Sequence, residues 1–209
     1  MSGQKGKFLA FEGIDGSGKS TQIQALLAHL AAQGVTCRGT REPTDGPVGA
    51  LIRQILTGRM TADNRVIAGL FAADRLDHLV NGTDGVLQML ESGVTVVTDR
   101  YYFSSYAYHS VDVDMDWVIH SNRLSAELLK PDLTIFLDIP VQTALDRIGR
   151  NRSRTELFEK EDRLTAVRGK YLEAFARLKD TEAVAIVDAD ADADTVARRI
   201  RDAVSPLFS

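Results

Sequence analysis

The 209-residue chain is 44% hydrophobic and 26% charged, and 25 basic residues against 29 acidic leave a net charge of −4. That composition suits one globular domain with a full hydrophobic core, and it argues against a nucleic-acid partner, which calls for a basic excess. A single cysteine, Cys37, excludes an intrachain disulfide and any multi-cysteine metal site. No apolar run approaches the roughly 20 residues of a membrane span, and the short polar start lacks signal-peptide form, so no membrane partner and a cytoplasmic location are expected.

The first predicted element is the apolar stretch KFLAFEG, a strand that runs into a glycine loop. Residues 19–33 follow as a helix with Ile23, Leu26, Leu27 and Leu30 on one face, ended by Gly34. VTCRGT is a second strand. Residues 47–56 carry Val48, Leu51, Ile52 and Ile55 at helical spacing, and residues 64–91 are helical with a break near Asn81 and Gly82. GVTVVTDR and DLTIFLDIP are buried strands. Pro140 precedes a helix through Leu145 and Ile148, a further helix covers 157–178, AVAIVDA is the last strand and 195–207 the last helix. The one low-complexity patch, Asp188 to Asp194, lacks the glycine and terminal glutamate of an EF-hand, so it is expected to be a solvated turn capping the last helix.

Five apolar strands separated by helices predict an α/β architecture: a five-stranded parallel sheet, doubly wound, with helices on both faces. Ligands then bind beyond the carboxyl ends of the strands. No repeat or linker interrupts the pattern, so residues 1–209 are expected to form a single domain.

Between the first strand and first helix, Gly13-Ile14-Asp15-Gly16-Ser17-Gly18-Lys19-Ser20 fits G-x-x-x-x-G-K-[ST] in full, with Thr21 beyond it. Glycines let backbone N–H groups turn onto phosphates, and the helix N-terminus adds partial positive charge. Lys19 is placed to reach the β- and γ-phosphates, and Ser20 to offer its hydroxyl to Mg²⁺. The expectation is a P-loop NTPase fold with residues 13–21 holding ATP and with magnesium as cofactor. The class stays open at this point. A switch-type GTPase calls for a base-reading N-K-x-D, which is absent; a kinase needs a second set of cations and a basic segment over the transferred group; a non-kinase ATPase acting on a protein is the third alternative.

Four further stretches supply what a kinase needs: REPT (Arg41 to Thr44), LFAADR (Leu70 to Arg75), DRYYFSSYAYH (Asp99 to His109), and RIGRNRSR (Arg147 to Arg154), with four arginines in eight residues. With EGIDGSGKST, they appear in the order and spacing of the thymidylate kinase family, and the chain resembles that family over nearly its whole length. Each motif is weak alone; the set is specific. The resemblance implies transfer of the γ-phosphate of ATP to dTMP, small-molecule partners only, and a homodimer. Another nucleoside monophosphate or deoxynucleoside kinase is the same-class alternative.

The residue roles follow from the resemblance, set beside plain chemistry. Phe71 and Arg75 lie one helical turn apart; the resemblance places the ring against thymine and the guanidinium near the base and acceptor phosphate, against the bland reading of a core Phe and a surface Arg. Asp99 and Arg100 end a strand, where a doubly wound fold puts its chemistry. Arg100 resembles the arginine that grips the monophosphate, a bidentate task suited to guanidinium, and Asp99 an organiser of that arginine or of hydrated Mg²⁺. Arg53, opposite Ile52, is a further phosphate candidate. Ser105 is expected at the base and Tyr108 against the sugar, where it disfavours a 2′-hydroxyl; Glu42, Pro43 and Ser104 complete the acceptor site. His109 stands where many bacterial members carry glutamine. Asp15 would be repelled by the donor phosphates, and the resemblance turns it to the acceptor's 3′-hydroxyl; a water-mediated magnesium ligand is the rival role. The loop interior carries no base, so the missing charge is expected from an Arg-rich lid at about 148–160, with Arg150, Arg152 and Arg154 as catalytic candidates beside Lys19 and Arg100.

Overall fold

The computed structural model describes residues 5–148 and 154–208, the side chains of 154–160 excepted. The sheet is built from β1 (Phe8–Glu12), β2 (Cys37–Arg41), β3 (Thr95–Asp99), β4 (Leu133–Asp138) and β5 (Val184–Asp188). All pairs are parallel, in the order β2-β3-β1-β4-β5. β1 is central, and each of its five residues is buried, as expected of a strand covered on both faces. Its neighbours are β3, with Phe8 opposite Val96, and β4, with Leu9 opposite Leu133. The chain therefore goes from β1 to the edge strand β2, returns to β3 beside β1, and then crosses to the other side for β4 and β5. That reversal puts the switch point, where such folds bind ligands, at the carboxyl end of β1.

The helices are α1 (Lys19–Ala32), α2 (Pro47–Leu56), α3 (Asn64–Val80), α4 (Val86–Glu91), α5 (Tyr102–Tyr108), α6 (Met115–Ser121), α7 (Arg123–Leu128), α8 (Val141–Ile148), α9 (Arg154–Leu178) and α10 (Ala193–Val204). Each expected element is present, with ends shifted by a few residues, as fraying termini dictate. The expected break in the 64–91 segment falls at Asn81, which leaves helical geometry and whose side chain accepts from the Thr83 N–H. Two differences have local causes. The last helix stops at Val204, and a 3₁₀ turn holds Ser205–Leu207. α6 and α7 occupy a stretch to which the sequence assigned no element; Trp117, Leu124 and Leu128 are exposed there while Met115 and Val118 are buried, so no clean apolar stripe marks them. The Asp-rich patch caps α10, with Asp192 accepting from the Thr195 N–H at 2.9 Å.

α5 is buried nearly all round, and α9 packs along it. Phe103 of α5 meets Phe175 of α9 at 4.8 Å, and the strands join them: Phe136 of β4 against Tyr171 of α9 at 4.9 Å, and Phe8 of β1 edge to face with Tyr101, just before α5, at 5.1 Å. Burying each such ring is worth about 1.5–3 kcal/mol, so this seam anchors both helices to the central strands. Among the described residues, no helix is long and apolar enough to cross a membrane.

Candidate active site

β1 ends at Glu12 and the glycine loop begins at once. Gly13 has φ 147°, and a Cβ there would lie 2.9 Å from the Leu137 carbonyl oxygen; Gly16 has φ 83°, with the Ala144 carbonyl oxygen 2.6 Å from its missing Cβ. Backbone blocks both positions, so the loop's path demands glycine. Lys19 folds over the loop, donating from Nζ to the carbonyl oxygens of Gly13 at 3.0 Å and Ile14 at 3.3 Å. Burial, and secondly the nearby Arg100, push its amine down to about 8. Such a cation gains from an incoming anion. Arg147, the last basic residue of α8, also leans on the loop: Nη1 lies 3.4 Å from the Gly16 oxygen and Nη2 donates to the Ala189 oxygen at 3.3 Å. The sequence marked Arg147 only as the start of the arginine run. Arg150 and Arg152 lie outside the described residues, as does the side chain of Arg154, which opens α9.

Ser20 Oγ is 3.3 Å from Asp99 Oδ2, while Asp99 Oδ1 is buried with no hydrogen-bond partner. An orphaned carboxylate oxygen beside a hydroxyl on the phosphate loop fits hydrated Mg²⁺, which takes one or two protein ligands and fills the rest with phosphate and water. A denser cage is not at hand: among the described residues no three His, Cys, Asp or Glu side chains group to hold a metal.

Beside the loop lies a cavity of about 310 Å³, within the range of small-molecule sites. Asp15, Glu42, Pro43, Phe71, Arg75, Arg100, Ser104, Ser105 and Tyr108 line it. Of the residues expected at the acceptor, only Arg53 does not line it. Arg53 instead donates to the carbonyl oxygens of Pro43 and Thr44 and lies 3.7 Å from Asp45, bracing the REPT turn from behind.

REPT and FAADR prove to be one device. Asp74 on α3 accepts from the Thr44 N–H at 2.8 Å and the Thr44 hydroxyl at 2.6 Å. Its neighbour Arg75, 1% exposed, donates to Glu42 Oε2 from Nε at 2.9 Å and Nη2 at 2.6 Å. The remaining Arg75 donors meet Ser105 Oγ at 3.1 Å, the Tyr101 oxygen at 3.1 Å and Asn122 Oδ1. All five N–H groups are thus engaged. Burial opposes the charge on Arg75, but Glu42 outweighs it and holds the guanidinium protonated. Glu42 Oε1 in turn is 3.2 Å from His78 Nδ1, and His78 Nε2 is 2.8 Å from Thr40 Oγ1.

Arg100 is the one non-glycine residue with positive φ among those described, at 74°. Such backbone costs on the order of 1–2 kcal/mol and persists where surroundings impose it. The strain turns the side chain, 18% exposed, into the cavity. Nη2 donates to Asp15 Oδ1 at 2.7 Å and to the Tyr108 hydroxyl at 3.1 Å, Nη1 to Ser104 Oγ at 3.1 Å, and the guanidinium lies 4.6 Å over the Tyr108 ring. Asp15 therefore belongs by sequence to the phosphate loop and by contact to the second cavity. The cavity's far end adds residues the sequence did not assign. The His109 ring sits 4.9 Å from that of Phe71, and burial, then the charges of Arg75 and Arg163, drive its imidazole down to about 4. Arg163 of α9 pairs with Asp112 at 3.1 Å across the rim.

A phosphate loop whose own aspartate opens into a second, arginine-lined pocket defines a P-loop phosphotransferase with two adjoining ligand sites. A family model described as thymidylate kinase matches residues 11–200, and the chain belongs to that family. It is 36% identical to the "Thymidylate kinase" of Akkermansia muciniphila, over 98% of this chain and 94% of that one. It is 42% identical to a "Probable thymidylate kinase" of Methanocaldococcus jannaschii over 79% and 80% of the two chains, and 36% identical to one of Thermococcus kodakarensis over 92% and 94%.

Proposed function

We propose that this enzyme transfers the γ-phosphoryl group of ATP to dTMP, giving dTDP and ADP. The observation that carries the reading is the position of Asp15 and Arg100: paired with each other, on the wall between the phosphate loop and the cavity. The loop amides and Lys19 take the donor's phosphates. Ser20 and Asp99 would hold Mg²⁺, which when bound supplies charge neutralisation on the donor oxygens. Arg100 grips the acceptor's phosphate, Phe71 lies against thymine, Arg75 and Ser105 face the base edge, Tyr108 abuts the sugar and Asp15 takes the 3′-hydroxyl. Arg150, Arg152 and Arg154 close over the transferred group as a lid. No covalent step on the protein is needed; catalysis is placement plus charge stabilisation. The same reading makes the chain a single catalytic domain that works as a cytosolic homodimer.

The test follows the product. Protein supplied with Mg²⁺, ATP and dTMP is expected to form dTDP, and Lys19→Ala to slow that by about 10²–10³-fold, the range for one preorganised charge donor, with its melting temperature kept. Near-normal turnover in Lys19→Ala, or ADP formed without dTDP, would remove the reading.

A further inference from the structure

Glu12 has no part in the chemistry above, yet it is wholly buried at the end of β1, one residue before the phosphate loop. Its Oε1 accepts from the Tyr101 N–H at 2.9 Å and the Ser104 N–H at 3.1 Å. Its Oε2 accepts from Ser104 Oγ at 2.5 Å and from the Tyr171 hydroxyl at 2.8 Å. Tyr171 also lies 2.9 Å from Ser104 Oγ, so three oxygens from β1, α5 and α9 form a closed triangle. One corner, Ser104 Oγ, receives Nη1 of Arg100.

Two features point beyond a helix cap. α5 has no capping side chain of its own, and a hydroxyl or amide would serve that need. A buried carboxylate is a costly substitute, and desolvation indeed holds Glu12 above the usual range against its hydrogen bonds and Arg100. The second feature is the helix that supplies Tyr171. One turn before it, Arg168 grips Asp138 at the end of β4 through two 2.7 Å contacts. α9 is thereby fixed to the ends of both strands that meet at the phosphate loop, and the same helix begins at Arg154, where the arginine run ends.

We propose that Glu12 and Tyr171 are positioning residues for the acceptor, acting through Ser104 to fix the guanidinium of Arg100. Arg100 is held on two sides. Asp15 and Tyr108 take Nη2; Ser104 takes Nη1. An arriving phosphate competes with Asp15 for the first side, and the triangle keeps the second side in place meanwhile. Without it the guanidinium follows Asp15 and meets the phosphate off line. The inference rests on the reading of Arg100 as the monophosphate's partner.

Tyr171→Phe is the cleanest test, because it removes one hydroxyl and leaves the ring in the aromatic seam. It is expected to raise KM for dTMP about three- to tenfold, the worth of one buried hydrogen bond. KM for ATP should stay within about twofold. In a Ser104→Ala background the same change is expected to add less than about twofold, since the route through Ser104 is already cut. Glu12→Gln, which keeps the shape and one acceptor oxygen, is expected to show the same bias toward dTMP. Equal effects on both substrates, no effect on dTMP, or an undiminished penalty in Ser104→Ala would overturn the proposal. Arg100→Lys separates the two levels: unchanged use of dTMP there removes the role of Arg100 itself, whereas a loss there with none in Tyr171→Phe removes only the positioning role.

Discussion

Asp15 stands on the donor's loop, but its carboxylate reaches Arg100, half exposed, with 49% of its side chain accessible. A pair that exposed is worth under about 1 kcal/mol, so an acceptor phosphate can displace it cheaply. Asp15→Asn is expected to weaken dTMP several-fold, about 1 kcal/mol for a charged hydrogen bond made neutral, with little change for ATP. The penalty should shrink with 3′-deoxy-dTMP, measured by equilibrium titration of both acceptors; an equal penalty for the two would exclude the 3′-hydroxyl contact. His109 gives a pH signature instead. Its imidazole charges near 6.5 when unfolded, and in the fold burial first, then the charges of Arg75 and Arg163, push it down to about 4, with partial relief from Asp112. Between those values the unfolded chain binds more protons, so stability falls as pH drops through that window, by on the order of 2 kcal/mol at pH 4.5. His109→Gln should flatten the fall in melting temperature between pH 6.5 and 4.5; a slope unchanged from wild type would mean the ring is not held neutral.

At the scale of elements, α3 organises the wall of the second cavity. Asp74 and Arg75 clamp Thr44 and Glu42 after β2, which explains why the two motifs occur together. Arg75→Ala is expected to destabilise the fold by about 3–5 kcal/mol, because it strands Glu42 as a buried charge; chemical denaturation measures this, and a loss under about 1 kcal/mol would show the clamp to be slack. The strands, the main helices and most of the residues that line the second cavity were legible in the sequence, because apolar runs, a glycine loop and motif residues are local signals. Three kinds of feature were not. α6 and α7 bury too few regularly spaced apolar side chains to announce themselves. Glu12 and Tyr171 meet across 159 positions, and Asn122 reaches Arg75 across 47; a contact of that span leaves no periodicity. The helical face opposite Ile52 makes Arg53 a phosphate candidate, but its guanidinium donates to the carbonyl oxygens of Pro43 and Thr44, contacts that the face alone does not specify.

For the whole molecule, the order of the strands sets the arrangement. β1 sits between β3 and β4, so the phosphate loop leaving its end is flanked by Asp99 and Arg100 on one side and by Asp138 on the other. The glycine loop and the second cavity thereby share a wall made of Asp15 and Arg100, and on the proposed function donor and acceptor meet there. The chain's acidic balance does not oppose this reading, because single cations stand about the glycine loop: Lys19 at the start of α1, Arg100 after β3 and Arg147 near the end of α8. The most direct test of that design is ADP release measured with ATP and Mg²⁺ across a panel of dTMP, dUMP, dCMP, dGMP and AMP. Release that depends on an acceptor and is fastest with dTMP is expected. Release indifferent to any acceptor, or driven best by a purine monophosphate, would contradict a thymine nucleotide in the cavity between Phe71, Arg75 and Tyr108.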